Sequence, residues 1–178
     1  MKRILFVLVC IFTFQQVCSQ ELPISEKTGK VCYEDVVKVD GVSASDLYVR
    51  ANEWFVKTFN SANSVIQMQD KEAGKIIGKG YVPVKSMGYD AGGFDFTINF
   101  AAKEGRYRYV ITDIKHDPKT SNMKSGGAIE NEKPECGTMY MFKKQWKKLK
   151  VQAHESLTAM HKDLVQYMSE TASEEEDW

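Results

Sequence analysis

The stretch FDFTINFAAKEGRYRYVITDIKH (residues 94–116) decides the fold of this chain. In residues 94–100, aromatic and aliphatic side chains alternate with polar ones, which is typical of a strand with one buried face and one solvated face. Glu104 and Gly105 predict a tight hairpin connection, and residues 106–116 supply the next strand. These two strands therefore predict an antiparallel sheet that is covered on one side.

Three further strands are predicted upstream of this hairpin. Residues 30–39, 64–70 and 74–84 are short and rich in β-branched and aromatic residues. The last of them contains two interior glycines and Pro83, which favour a bulged or edge strand over a central one. The segment SMGYDAGG (86–93) is predicted to be the loop that leads into residue 94.

Two helices complete the pattern. The first begins at Ser43, which forms a capping box with Asp46, and its apolar residues recur at steps of three and four. The second is predicted over residues 141–168, where the apolar spacing stays helical throughout. At 1.5 Å per residue this helix is about 42 Å long, which is enough to cross a sheet of about five strands.

Residues 117–138 separate the last predicted strand from the second helix. They are polar and contain two prolines and a pair of adjacent glycines, so we interpret them as a long loop outside the core. The predicted order of elements is then β-α-β-β-β-β-α. The predicted fold class is α+β: an antiparallel sheet with both helices packed on one face and the opposite face at least partly open.

The first 19 residues have the three-part layout of a secretory signal peptide. Lys2 and Arg3 precede an apolar run of about 11 residues, which is too short to span a bilayer as a permanent helix. Small residues predict cleavage between Ser19 and Gln20, with acylation of Cys18 as the alternative. The sequence therefore predicts export to the periplasm or the cell envelope.

The remaining chain predicts one domain, residues 20–168, and an acidic, unstructured tail over residues 169–178. Without residues 1–19 it contains 22 Lys and Arg against 24 Asp and Glu, and this net charge of −2 argues against nucleic acid as a partner. No transmembrane segment is predicted in it. Cys32 and Cys136 form either a disulfide or two separate thiols, and the sequence leaves both alternatives open.

The candidate ligand-binding residues lie on the last predicted strand. Tyr107, Tyr109 and Asp113 are spaced by two and four residues, so a regular strand would place them on one face. If exposed, this row would form a stacking and hydrogen-bonding platform for a sugar or a peptide. The alternative is that the same row is a buried strand face.

Other polar clusters are interpreted as structural. The segment KKQWKKLK (143–150) has two interpretations. We favour the first, in which its lysines form the solvated face of a helix that buries Trp146 and Leu149. In the second, the lysines form a surface that binds anionic lipid or glycan. His154 and His161 lie two turns apart, about 10 Å, which is too far for one metal ion without further ligands. No spacing typical of catalytic residues, a metal site or a cofactor is found, so the chain is predicted not to be an enzyme.

Three segments carry a resemblance to a known family. SANSVIQMQDKEAGKIIGKG (61–80), GRYRYVITDIKHD (105–117) and the NEWF helix (52–55) resemble the DUF4468 family of Bacteroidota. The likeness runs from about Leu22 to Ile114. It implies a TBP-like fold with the order β-α-β-β-β-β-α, and it implies no catalytic residues or ligand, because the family is named for having no assigned function.

Three functions agree with this pattern. We favour a non-catalytic binding module of the bacterial cell envelope, which binds an envelope protein or a small ligand on the open sheet face or under the long loop. The second is a small-molecule carrier or enzyme of the helix-grip type, with a pocket between the sheet and the long helix. The third is a module that self-associates through the edge strand 74–84.

Overall fold

A computed structural model describes residues 21–59, 65–120 and 124–170. The elements in chain order are β1 (Tyr33–Lys38), α1 (Ala44–Thr58), β2 (Ile66–Asp70), β3 (Lys75–Ser86), β4 (Tyr89–Lys103), β5 (Arg106–Asp117), β6 (Gly127–Ala128) and α2 (Lys143–Glu170). This order confirms the predicted pattern and adds the short strand β6. The predicted signal peptide lies outside the described residues, as do residues 171–178 of the predicted tail.

The strands form one antiparallel sheet in the order β1-β5-β4-β3-β2, and β6 pairs with β5 beyond the end of β1. Both helices pack on the same face of this sheet. Phe55 of α1 and Ile98 of β4 both lie against Gly78, and Trp146 of α2 stacks on Phe94. Phe94 and Ile98 are four residues apart on β4, so they point to the same side. We call the covered side the inner face and the opposite side the outer face.

Helix α1 begins where the sequence predicts it. Ser43 is the N-cap: its hydroxyl accepts from the backbone N–H of Asp46 at 3.1 Å and donates to the Asp46 carboxylate at 2.7 Å. Its buried residues follow helical spacing and are Leu47, Tyr48, Ala51, Trp54 and Phe55. Burying this stripe against the sheet stabilises the helix far more than its intrinsic propensity does.

The predicted loop over residues 86–93 is wrong for most of its length. Met87 and Gly88 both have positive φ angles, 53° and 85°, and form a two-residue hairpin turn, so β4 already begins at Tyr89. Gly92 and Gly93 lie inside the strand. Both positions favour glycine because neighbouring backbone lies so close that an added Cβ would overlap it. Glycine serves close packing here, and the sequence pattern alone does not distinguish that role from a turn.

Strand β3 is bulged, as predicted, and only its second half lies at an edge of the sheet. The first residues of β3 pair with both β2 and β4, and the later ones pair with β4 alone. The bulge is the shift in register with β4 between Pro83 and Lys85. The side-chain amide of Gln152 on α2 covers the second half: it accepts from the backbone N–H of Lys85 at 3.0 Å and donates to its carbonyl at 2.9 Å. The edge that self-association would require is thus partly occupied within the chain.

The prediction that residues 117–138 lie outside the core is also wrong. Ile129 is fully buried, and its backbone N–H donates to the carbonyl of Ile114 at 3.0 Å. Gly126 lies against the ring of Trp146, where an added Cβ would overlap it. This segment therefore packs onto the sheet and α2 through the buried side chain of Ile129 and close glycine contacts.

Helix α2 crosses the inner face, and its buried residues are Trp146, Leu149, Ala153, Leu157, Leu164 and Met168. Phe142, which lies within the helix predicted over residues 141–168, precedes the observed helix and is exposed. Neither helix of the described segments has the length and apolar character that a bilayer crossing requires.

Candidate functional site

The predicted tyrosines lie on the inner face and are buried. Tyr107 is 1% exposed and stacks on Phe100 with ring centroids 5.4 Å apart. Tyr109 is 3% exposed, and its hydroxyl lies 3.1 Å from Nδ1 of His161. Burial raises the pKa of both phenols. The structure thus agrees with the alternative of a buried strand face for these two residues.

Asp113 does not share their face. The register of β4 and β5 shifts between Asp95 and Thr97, and Asp113 is the bulged residue opposite this shift, with a φ of 55°. Its carboxylate is exposed and pairs with Nζ of Lys30 at 2.7 Å. The predicted row of three residues is therefore wrong, because the bulge breaks the period of two between Ile111 and Ile114.

The two cysteines are separate. Cys32 and Cys136 are both free thiols and both half-buried, so the structure has the second of the two predicted alternatives and no disulfide between them. Burial raises the pKa of the Cys32 thiol. Sγ of Cys136 lies 3.8 Å from the carbonyl oxygen of Gly137.

The histidines of α2 bond to tyrosines of the sheet. Nδ1 of His154 lies 2.7 Å from the hydroxyl of Tyr33, and the Tyr33 ring lies 5.8 Å from each of the His154 and His161 rings. Burial lowers the pKa of both histidines and so favours their neutral forms. Together with the Tyr109–His161 contact, these bonds join β1, β5 and α2, which is a structural role.

His116 has a structural role of its own. It is 1% exposed: Nε2 donates to the carbonyl of Ala91 at 2.9 Å, and Nδ1 accepts from the backbone N–H of Gly126 at 3.0 Å. These two bonds require the neutral tautomer, and burial lowers the His116 pKa in the same direction. The side chain therefore ties the long loop to β4.

The outer face offers the accessible surface. Strand register aligns two rows of side chains across it, each with one residue from β1, β5, β4, β3 and β2. The rows are Glu34, Val110, Asn99, Ile77 and Met68, and Val36, Arg108, Ala101, Lys75 and Asp70. Five of these ten side chains are apolar, and the two at the sheet edges, Val36 and Met68, are 54% and 38% exposed. We call the two rows the central band.

The central band contains two open depressions. One of about 350 Å³ lies beside Val36 at the β1 edge, and one of about 300 Å³ lies beside Met68 and Ile77. Both are lined by Ala101 and Arg108, so they adjoin each other. A surface in which apolar side chains alternate with polar and charged ones thus runs across the sheet from β1 to β2.

One end of this surface is cationic. Next to the β4–β5 hairpin, Arg106 lies between Lys38 and Lys103 in the strand register. We call these three residues the cationic row. Arg108 pairs with Glu34 at 2.7 Å, whereas within the described part of the chain neither the cationic row nor Lys75 forms an ion pair. This face therefore carries excess positive charge in a chain predicted to be slightly acidic.

The local sequence pattern does not reveal the central band or the cationic row. Their signal was present, since Arg106, Arg108 and Lys103 occupy the polar positions of alternating strands. Which of these residues become neighbours depends on strand register, which local patterns do not specify.

Ammonium, guanidinium and aliphatic groups suit the binding of an anionic surface. In residues 21–59, 65–120 and 124–170, no group of three or more His, Cys, Asp and Glu side chains is placed to hold a metal ion.

Comparison with known proteins agrees with this architecture. Two similar solved structures are a TBP-like protein from Parabacteroides distasonis and a DUF4468 family protein from Bacteroides ovatus. The first has a TM-score of 0.58 and 19% identity over 81% of this chain and 96% of that chain. The second has a TM-score of 0.61 and 14% identity over 82% of this chain and 90% of that chain.

At these low identities, the two structural matches show a shared fold and nothing further. No curated protein matches the sequence. Residues 33–117, which span β1 to β5, match a family model described as a domain of unknown function (DUF4468) with TBP-like fold. This match confirms the predicted resemblance. The protein therefore carries, in residues 33–117, a DUF4468 domain with a TBP-like fold.

Proposed function

We propose that this protein is an exported, non-catalytic binding module of the bacterial cell envelope. Its ligand is an acidic surface of a partner protein, which binds the central band and the cationic row. The observation that carries this proposal is a half-apolar band on the sheet face that neither helix covers, flanked by cations that form no ion pair among the described residues. The signal-like pattern of residues 1–19 supports the location.

The shape of the surface favours a protein over a small molecule. Five strands spaced about 4.8 Å apart make the band about 19 Å wide from the axis of β1 to that of β2. Small ligands are usually enclosed over most of their surface, whereas the two depressions here are open and adjoining. A protein surface of about 800 Å² can cover such a face and reach the cationic row at its end.

The charge of the surface specifies the chemistry of the partner. Lys38, Lys103 and Arg106 lie side by side and repel one another, so an opposing carboxylate-rich surface lowers the electrostatic energy of all three. Since these side chains are exposed, salt should weaken the complex. The apolar residues of the central band supply burial that salt does not screen.

The helix-grip alternative gains no support from the described structure. The space between α2 and the inner face is filled by buried side chains, including Trp146, Leu157 and Leu164. The depressions that carry the proposal lie on the opposite side of the sheet.

A photo-crosslinking amino acid at Val36 tests the binding surface in the envelope of the native organism. We expect one discrete protein adduct, reduced at least about tenfold by Lys103→Glu with Arg106→Glu. The matched control is Lys144→Glu with Lys148→Glu, which makes the same change in charge on exposed α2 residues. Absence of an adduct, or equal loss in both double variants, would refute the proposed surface.

The mass of the protein recovered from the envelope fraction tests export separately. We expect a chain that begins at Gln20. A diacylated chain that begins at Cys18 would replace the predicted cleavage with lipidation. Full-length protein confined to the cytoplasm would refute the envelope location.

A further inference from the structure

A further cleft lies beside α2, away from the two depressions of the outer face. It occupies about 340 Å³ between the first turns of α2, the long loop and the segment before β1. Its lining residues are Leu22, Glu132, Lys143, Lys147, Lys150, Val151 and His154. We call it the lysine cleft. The sequence pattern predicts that these lysines form a solvated helix face, but the loop and the N-terminal segment make that face one wall of a cleft.

The residues that line the lysine cleft carry more positive than negative charge, although Glu130, outside the lining, also interacts electrostatically with Lys150. Lys143, Lys147 and Lys150 are spaced by four and three residues, so they lie along one side of α2. None of them forms an ion pair with a described carboxylate, although Glu132 lines the same cleft. Three ammonium groups against one carboxylate leave a formal charge of about +2.

Lys150 is the most constrained of the three amines. Nζ donates to the carbonyl oxygen of Asn131 at 3.0 Å and lies 5.6 Å from the centroid of the Trp146 ring, and the ammonium has two further N–H groups to donate. Burial lowers the pKa of Lys150. An anion beside this half-buried amine would offset that cost of burial.

The start of α2 adds to the positive potential. Its first turn contains no acidic residue and begins with Lys143 and Lys144, which is the unfavourable arrangement for the positive end of a helix dipole. An anion in the adjoining lysine cleft would relieve this repulsion as well.

We propose that the lysine cleft binds a phosphate monoester carried on a small apolar body. A phosphate monoester is close to a dianion at neutral pH, which matches the formal charge of the lining. Leu22 and Val151 supply an apolar wall for the rest of the molecule. The ester comes either from a soluble metabolite or from a lipid headgroup, and both offer the same group to the three lysines.

Calorimetric titration of the mature protein with phenyl phosphate at constant ionic strength tests this site. We expect binding with a dissociation constant below about 10 mM. Lys143→Glu with Lys147→Glu should weaken binding at least about tenfold, because two ammonium groups become carboxylates. Lys144→Glu with Lys148→Glu makes the same change in charge on the same helix outside the cleft lining, and binding should stay within about twofold.

Two results would overturn the proposal: no heat of binding with the unmodified protein, or equal losses in both double variants. Circular dichroism and urea unfolding establish that both variants fold. Vesicles of phosphatidylcholine with and without phosphatidic acid distinguish the two sources. Binding to phosphatidic acid that the cleft variant abolishes assigns the headgroup, and binding to phenyl phosphate alone assigns a soluble ester.

Discussion

Replacing Trp146 by alanine should remove a large part of the stability of this protein. The indole is fully buried, stacks on Phe94 at 5.6 Å between ring centroids, and meets His116 edge-on at 6.0 Å. Its Nε1 donates to the carbonyl oxygen of Asn131 at 2.8 Å. Trp146 thus joins α2 to both the sheet and the long loop.

The magnitude follows from the buried surface. A buried aromatic side chain removes about 150–250 Å² from water, which at about 25 cal/mol per Å² corresponds to about 4–6 kcal/mol. Alanine retains part of this burial, and losses for Trp to Ala in protein cores are about 3–5 kcal/mol. We expect a loss of about 4 kcal/mol in the free energy of unfolding.

Urea unfolding followed by far-ultraviolet circular dichroism measures this loss. With a slope of about 2 kcal/mol per M, the midpoint should fall by about 2 M. The matched control is Phe142→Ala, four residues earlier and 72% exposed, which should cost less than about 0.5 kcal/mol. A cost under about 1 kcal/mol for Trp146→Ala, or equal costs for both substitutions, would refute the proposed role of the indole.

Three further predictions concern stability. Burial lowers the pKa of His154 and His161, so below about pH 6.5 the unfolded chain binds more protons than the folded one, and stability decreases as the pH is lowered. Glutamine at both positions should make the urea midpoint depend less on pH, and an unchanged dependence would contradict the assignment. Gly80→Ala places a Cβ into the ring of Phe96 and should cost about 1–3 kcal/mol in urea unfolding, whereas a neutral result would contradict the close contact. Gln152→Ala removes both side-chain hydrogen bonds to the edge of β3 and should lower the free energy of unfolding by about 1 kcal/mol. It should also increase self-association in light scattering, because the freed edge can pair with another chain. Unchanged stability and scattering would show that the amide does not protect the edge.

Local signals in the sequence predicted most of the fold. Ser43 and Asp46 mark the start of α1 because a capping box involves residues only three positions apart. Glu104 and Gly105 mark the β4–β5 hairpin for the same reason. Residues 94–100 revealed the sheet and its covered face because side-chain direction alternates within a single strand.

The errors occur where a residue serves a distant neighbour. Asp113 leaves the face of Tyr107 and Tyr109 because β5 is bulged against β4, and the position of a bulge depends on the pairing of two strands. Gly93 and Gly126 fall in segments that the sequence predicts to be loops, and both lie where another segment approaches too closely for a side chain.

The sequence by itself determined the order of elements, the helix start at Ser43 and the presence of one open sheet face. Only the tertiary structure decided that Arg106 lies between Lys38 and Lys103, and that Lys143 and Lys147 line a cleft. Periodicity and capping act over a few residues, so one segment contains their whole signal. Strand register and loop packing depend on contacts between segments far apart in the chain, which arise only when the chain is folded.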